Sequence, residues 1–283
     1  MGSAGMNATA KKRAVWGDVL AFAMLTFGAL CMVGPFIWMI STSLKPVAQQ
    51  YDMQLIPQTL TLENYPRLLE IMPIHRQLFN SFTIAAISTF GQLLTCSMAG
   101  FIFAVVRFPF RNLIFVLLLI TLMVPSQITV IPQFIIFRFL GLYGTQAPLY
   151  LPAFLGGAFG TFLMRQYFLT IPIELAEAAR IDGASLARIF FTIYLPLAKP
   201  ALAAFAIFAF MFSWNDLFNA LIYLPSNMET TTVTVGLALF QTQYAGQWPL
   251  MMAGSLLAVA PIIIVFFLAQ RYFIAGISMS GLK

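Results

Sequence analysis

Charge is what this chain is short of. Only 8% of its 283 residues are charged, while 60% are hydrophobic and the mean hydropathy is +0.89. A soluble domain carries about 25% charged residues, so the composition excludes a water-soluble globule and points to life in lipid. Histidine is almost missing: His75 stands in a loop without companion ligands, which leaves no metal site to expect. The two cysteines, Cys31 and Cys96, lie in apolar runs and read as small buried residues, not a disulfide or a metal site. No lysine follows a glycine, so the phosphate-binding pattern G-x-x-x-x-G-K-[ST] is impossible. No catalytic constellation is present either, so an enzyme is not expected. The net charge of +6 would suit nucleic acid only if the basic residues clustered; they are scattered through the loops, and no nucleic-acid partner is expected.

What the chain has in quantity is long apolar runs. Residues 1–13 are small and polar and end in Lys11-Lys12-Arg13. The run that follows is too long for a cleaved signal and lacks a small-residue cleavage pattern, so it reads as an anchor. Stretches near the ~20 residues needed to cross a bilayer recur at 18–41, 78–104, 112–138, 147–169, 197–224 and 249–270. Six spans put both termini on one side. With that side cytoplasmic, eleven basic residues fall inside (Lys11, Lys12, Arg13, Arg107, Arg111, Arg165, Arg180, Arg188, Lys199, Arg271 and Lys283). Four fall outside: Lys45, Arg67, Arg76 and Arg138. The positive-inside rule favours that orientation. Prolines at 35, 125, 132, 152 and 261 are expected to kink spans and free carbonyls, and Gly156 with Gly160 makes a GxxxG spacing suited to close helix packing.

Charges within the spans are equally scarce. They usually mark ion or proton pathways, yet Asp18 and Arg165 sit near span ends and only Asp216 lies well inside. The chain has neither an ATP site of its own nor the array of buried charges expected of an ion-driven carrier, so its energy is expected from a partner. Two loops on the outer side, roughly 42–77 and 224–248, are candidates for contact with a soluble partner. The first has room for a short surface helix. The second contains the β-prone run Thr230-Thr231-Thr232-Val233-Thr234-Val235.

One polar island stands out, Pro172 to Pro196, with Glu174, Glu177, Arg180, Asp182 and Arg188 in otherwise oily surroundings. It reads as two short helices. Pro172 suits a first helical turn, and Glu174 and Glu177 sit where the helix dipole favours acids. Gly183 breaks the pattern, with Asp182 placed to cap a second helix from about Ala184. Ala176, Ala178, Ala179 and Ala184 would let another surface approach the backbone. The plainer alternative is a solvated loop whose acids and arginines pair locally.

The motif Glu177-Ala178-Ala179, with Gly183 six positions after Glu177 and then Ile193, Leu195 and Pro196, resembles the EAA loop of ABC importer permeases. Further segments are similar to the carbohydrate-uptake, maltose-transporter-like branch of that family: Phe36 to Pro46, Leu62-Glu63-Asn64-Tyr65, Asn80-Ser81, Met123-Val124-Pro125, Ser213-Trp214-Asn215-Asp216 and Gln270 to Gly276. The last residues, Ile277 to Lys283, follow the family's ending only loosely; in the maltose permease that tail reaches between the ATPase subunits. The resemblance implies an all-α membrane protein of six transmembrane helices with the type I ABC importer permease fold. A tail, 1–13, would precede a single permease domain, 14–283, with a cytoplasmic coupling-helix loop, 171–196, between spans four and five. It further implies a multi-pass subunit of the inner membrane that binds no cofactor itself. ATP and Mg would sit on two partner ATPase subunits. A second, homologous but different permease and an extracytoplasmic solute-binding protein would complete the assembly. The ATPase-coupling residues would be Glu174, Glu177, Ala178, Ala179, Arg180, Asp182 and Gly183.

For the cargo path, the fifth span offers Asn215 and Asn219 four apart on one helical face, with Phe212 three before Asn215 and with Asp216 and Tyr223 beside them. Gln127, between Pro125 and Pro132, is a further candidate. Amides beside rings suit a neutral polyol, whose hydroxyls take hydrogen bonds and whose C–H faces pack on aromatics. Interhelical hydrogen bonding, or interfacial anchoring by Trp214 and Tyr223, would use the same residues. A sugar or related polyol is the expected cargo. Glycerol phosphate, an amino acid or another small solute is the alternative within the class, and an ion-coupled carrier or channel the alternative outside it; a plain membrane anchor would not need the loop's spacing.

Overall fold

The computed structural model describes residues 3–224, 227–244 and 246–280, with side-chain surroundings from residue 18 to residue 270 apart from residue 269. The side chains of Lys11, Lys12, Arg13 and Arg271, and the whole of Lys283, lie outside the described residues. The described residues are mainly helical, joined by turns and loops, with no strand among them. In order the helices are α1 (Ser3–Ser43), α2 (Asn64–Ile71), α3 (Ile74–Val105), α4 (Arg111–Ile120), α5 (Ser126–Phe139), α6 (Ala147–Tyr150) and α7 (Ala158–Phe168). Then come α8 (Glu174–Ile181), α9 (Leu186–Ile189), α10 (Leu195–Leu197), α11 (Lys199–Trp214), α12 (Phe218–Tyr223), α13 (Val233–Gln243) and α14 (Trp248–Ser280).

Four stretches are long and apolar enough to cross a bilayer: Asp18–Ser43, Ile74–Val105, Ala147–Phe168 and Trp248–Leu268. Two bent pairs also qualify, Arg111–Met123 with Ser126–Phe139 at 97° and Leu186–Leu197 with Lys199–Trp214 at 81°. Counting each pair as one crossing gives the expected six. The first bend falls at Pro125, which has no N–H to continue α4 and disfavours helix at Val124. The second falls at Ala198, just ahead of Pro200 in the first turn of α11. Pro35, Pro132 and Pro261 lie inside helices.

The chain divides into two compact units, Met1–Leu68 with Tyr244–Leu256, and Leu69–Gln243 with Leu257–Lys283. In the first, the end of α1 is closed by a polar knot. Asn64 donates its amide to the carbonyls of Ser43 and Lys45, both at 2.8 Å, satisfying groups that a helix end leaves open. Lys45 is fully buried; its ammonium donates to the Asp52 carbonyl at 2.7 Å and lies 4.6 Å from the Trp38 ring centre. The expected short helix in this loop is α2.

In the second unit, α3 is the post around which the rest packs. Glycines set the approach. A Cβ on Gly100 would come within 2.8 Å of the Met164 Cβ and 2.9 Å of the Arg165 backbone nitrogen; one on Gly160 would come within 2.1 Å of the Phe205 ring. Small residues thus bring α3, α7 and α11 together without a hydrophobic drive from water. The expected GxxxG face holds only by half: Gly156 precedes α7, at φ +86, and serves the turn that ends the segment 151–155. Pro152 cannot donate to Leu149, and the Leu149 carbonyl is met instead by the Ser88 hydroxyl at 3.3 Å. The polar residues of α3 therefore repair backbone that proline opened.

Two expectations need correction. The fifth span does not run unbroken over 197–224: α11 ends at Trp214, Asn215 to Leu217 turn, and α12 begins at Phe218. Asp216 makes this break, as the next subsection describes. The threonine run does not form a strand, because Val233 opens α13 and donates its N–H to the Ser81 hydroxyl at 2.9 Å. Asn80 donates to the carbonyls of Glu229 (2.9 Å) and Thr231 (3.0 Å), and Gln77 to that of Met228 (2.9 Å). Tertiary partners for the backbone override the local β preference.

Candidate functional site

The polar island folds as the two expected helices, α8 and α9. Gly183, at φ +80, lies in the left-handed region that L side chains avoid. Its N–H reaches the Arg180 carbonyl at 3.0 Å, and that of Ala184 reaches the Ala179 carbonyl at 2.9 Å. This double bond pattern closes a helix C-terminus around a left-handed residue. Asp182 is consumed by that closure, at the C-cap of α8; the cap of α9 is Ser185, whose hydroxyl accepts from the Arg188 N–H at 3.3 Å. The expected capping role of Asp182 is corrected accordingly.

The hairpin is held by its small face. Ala176 and Ile189 are fully buried in a cluster with Phe101, Phe168, Phe190 and Tyr194, and Ala179 and Ala184 pack against it. Phe101 lies 5.0 Å from Tyr194 and 5.3 Å from Phe190, ring centre to ring centre. The opposite face is left bare. Ile181 is 87% exposed, Leu175 and Leu186 are also exposed, and so are Glu174, Glu177, Ala178, Arg180 and Asp182. The one ion pair among the described residues joins Arg76 to Glu229. No acid of the hairpin is in ion-pair contact with one of its arginines among the described residues, so local pairing finds no support there. Behind the hairpin lies a cavity of about 670 Å³ that includes Glu174, Glu177, Arg180, Tyr194, Arg107 and Arg111 in its lining. The last three were not among the sequence candidates; the two basic residues counted there only towards orientation and Tyr194 not at all.

The cargo-path candidates also come together, though on a different scaffold from the one expected. Phe212, Asn215, Asp216, Asn219 and Gln127 line one open cavity of about 670 Å³. Phe212, Asp216, Asn219 and Tyr223 line a second, of about 260 Å³, with Gln92 and Gln133. The helix break, not a continuous face, collects them. Asp216 accepts from the Asn219 N–H at 3.1 Å and from its side-chain amide at 2.9 Å, which starts α12 as a cap would. Asn215, one residue past α11, donates its amide to the Met211 carbonyl at 2.8 Å. Tyr223 is buried between Phe134 and Phe137 and reaches Gln133 at 3.5 Å. Gln92 and Gln133 escaped the sequence reading, where the only available signal was an amide inside an apolar run. Neither cavity has a lysine or arginine in its lining.

One stretch of chain joins the two regions. From the hairpin, α9 continues through a π-helical turn, Phe190–Tyr194, into α10, bends at Ala198, and α11 then leads to Phe212 and Asn215.

Known proteins of similar sequence and fold supply the family. Residues 97–279 match the family described as binding-protein-dependent transport system inner membrane component. The arabinooligosaccharides transport system permease protein AraQ of Halalkalibacterium halodurans is 38% identical over 95% of this chain and 96% of its own length. The sn-glycerol-3-phosphate transport system permease protein UgpE of Shigella flexneri is 33% identical over 93% and 96%. Among solved structures, a chain of a bacterial ABC transporter involved in the import of the acidic polysaccharide alginate superposes with a TM-score of 0.79 at 26% identity. The match covers 93% of this chain and 98% of that one.

Proposed function

The chain belongs to the binding-protein-dependent transport system inner membrane components, the permeases of ABC importers, and from that premise we propose that it passes a neutral sugar or related polyol through the inner membrane, driven by ATPase subunits gripping the α8–α9 hairpin. The observation that carries this reading is the hairpin itself: a small face sunk in the core and a bare face with Ile181 and unpaired charges. An exposed apolar residue ringed by uncompensated charges suits a partner's groove better than it suits water.

In this reading residues 14–283 form one permease domain with both termini and the hairpin in the cytoplasm, as the excess of Lys and Arg on that side favours. The chain has no ATPase site; ATP and Mg belong to two partner subunits. A second, homologous permease and an extracytoplasmic binding protein complete the assembly. ATP binding closes the ATPase dimer, the hairpin moves with it, and the helices rock to open the path outward; hydrolysis reverses the motion. Glu177 makes a charge-assisted contact in the groove, and the Gly183 turn lets the hairpin enter it.

Cargo class follows from the lining. Amides of Gln127, Gln133, Asn215 and Asn219 stand beside Phe212 and Tyr223, and no cation faces either cavity. A phosphate ester would meet Asp216 and no opposite charge, so a neutral polyol fits better than glycerol phosphate. The test is affinity purification in mild detergent, followed by a screen of the co-purifying binding protein for thermal stabilisation by sugars. A stabilising neutral sugar and a co-purifying ATPase are expected. Stabilisation by glycerol phosphate alone would overturn the cargo class, and absence of any nucleotide-binding subunit would overturn the whole reading.

A further inference from the structure

The cavity behind the hairpin holds a polar group with nothing to bond. Tyr194 is fully buried, lines the cavity, and its hydroxyl has no hydrogen-bond partner. A buried hydroxyl left unmet is costly, and native structures rarely keep one without a reason. The lining of the same cavity holds three guanidiniums, Arg107, Arg111 and Arg180, and two carboxylates, Glu174 and Glu177, none in an ion pair among the described residues. The balance is one positive charge. A smaller cavity of about 360 Å³ shares Arg107 and Arg111 and adds Asn112, with no acid in its lining. From there an apolar track leads away: Phe110, Leu113, Ile114 and Leu117 are all exposed, at the spacing of one helical face. Phe110 sits at φ +60 and is 73% exposed.

We propose that this cavity seats the phosphodiester head of an anionic phospholipid, with Arg107, Arg111 and the Tyr194 hydroxyl donating to the phosphate and an acyl chain lying along Phe110 to Leu117. A singly charged phosphodiester matches the charge left over, and the track supplies what a free phosphate would not use. Basic pockets at the ends of transmembrane helices suit such heads, and forked guanidiniums suit their oxygens. Glu174, Glu177 and Arg180 also belong to the face assigned to the ATPase, so the charge balance rests on that reading, whereas the contacts of Arg107, Arg111 and Tyr194 do not.

The assembled transporter, placed in nanodiscs of phosphatidylcholine with or without phosphatidylglycerol, tests it. Phosphatidylglycerol is expected to raise the melting temperature and to stay bound in native mass spectrometry, whereas inorganic phosphate in pure phosphatidylcholine does neither. The double variant Arg107→Gln/Arg111→Gln should weaken retention about tenfold or more. Tyr194→Phe gives the sharper readout: losing an unmet hydroxyl should raise stability in phosphatidylcholine and shrink the gain from phosphatidylglycerol. Photoactivatable phosphatidylglycerol should label the wild-type chain between residues 107 and 117, which keeps the test open if the double variant fails to fold. Equal retention of both lipids, a full shift from inorganic phosphate alone, or a photo-cross-linker at Asn112 that traps a neighbouring subunit would each overturn the proposal.

Discussion

Gly183 separates two costs that usually travel together. A Cβ built at this position meets nothing within 4 Å, yet φ is +80. Any L side chain therefore costs about 1–2 kcal/mol of backbone strain, a factor of roughly 5–30 in the population of the native turn, but no steric clash inside this chain. Gly183→Ala and Gly183→Leu should thus lower the melting temperature equally, and Gly183→Asn less, because asparagine tolerates the left-handed region. Docking ranks them otherwise. If the turn enters a partner's groove, loss follows side-chain volume: alanine is tolerated best, asparagine next, leucine worst. The assay is solute uptake and ATPase rate of the reconstituted transporter, beside thermal melting of the same preparations. Uptake that follows strain, with asparagine the mildest variant, would refute the docking role of this turn. Normal uptake by Gly183→Leu would do the same.

Ile181→Asp should leave folding within about 0.5 kcal/mol, since the side chain is 87% exposed, yet reduce co-purification of the ATPase; Glu177→Lys should keep insertion and uncouple hydrolysis from uptake. Asp216→Ala removes both bonds to Asn219 and should cost about 1 kcal/mol together with a rise in the KM for uptake. Asp216→Asn, which keeps an acceptor, should cost less in both respects; an unchanged KM in the alanine variant would remove Asp216 from the path. Arg76→Ala breaks an ion pair whose two side chains are 55% and 58% exposed, so its stability effect should stay under about 1 kcal/mol. Replacing Ala203 and Ala204 together by glycine should loosen α11 by about 2 kcal/mol, leaving ATPase binding intact while uptake falls; equal loss of both would argue against transmission through this helix.

The helical class, the number of crossings and the hairpin were legible because each rests on local signals. Apolar length marks a span, and a glycine flanked by two short amphipathic stretches marks a turn. The breaks were not legible in the same way. Asn215 and Asp216 read as one helical face because nothing in the sequence shows that Asp216 caps a new helix. The run from Thr230 to Val235 read as β-prone because its true partners, Ser81 and Asn80, lie some 150 residues away in the chain. Gly156 and Gly160 shared a motif yet do different work, one turning the chain and one admitting Phe205. Tyr194 was invisible because an unmet hydroxyl is a property of surroundings, not of spacing. Local chemistry could be read from the sequence; what distant segments do for one another could not.

That distinction bears on how a pull on the hairpin would reach the proposed cargo path. The hairpin is fixed to the core by Ala176 and Ile189, and α11 starts only a few residues beyond it. Over 16 residues α11 spans about 24 Å and ends against Asn215 and Asp216, where both cavities meet. Its inner side is fixed by Ala201, Phe205 and Ala209, all buried with Cys96 and Met164. Gly160 admits the Phe205 ring with no room to spare. A contact packed to that density has no continuous range of intermediate positions, so displacement of the hairpin either leaves α11 where it is or carries it to another packed arrangement. The helix break at 215–217 then matters mechanically. Asp216 holds both sides of it: its backbone N–H donates to the Ser213 carbonyl of α11 at 3.3 Å, and its carboxylate accepts from Asn219 of α12, so under the proposed coupling a shift of α11 would be passed through Asp216 to the amides that line the cavities.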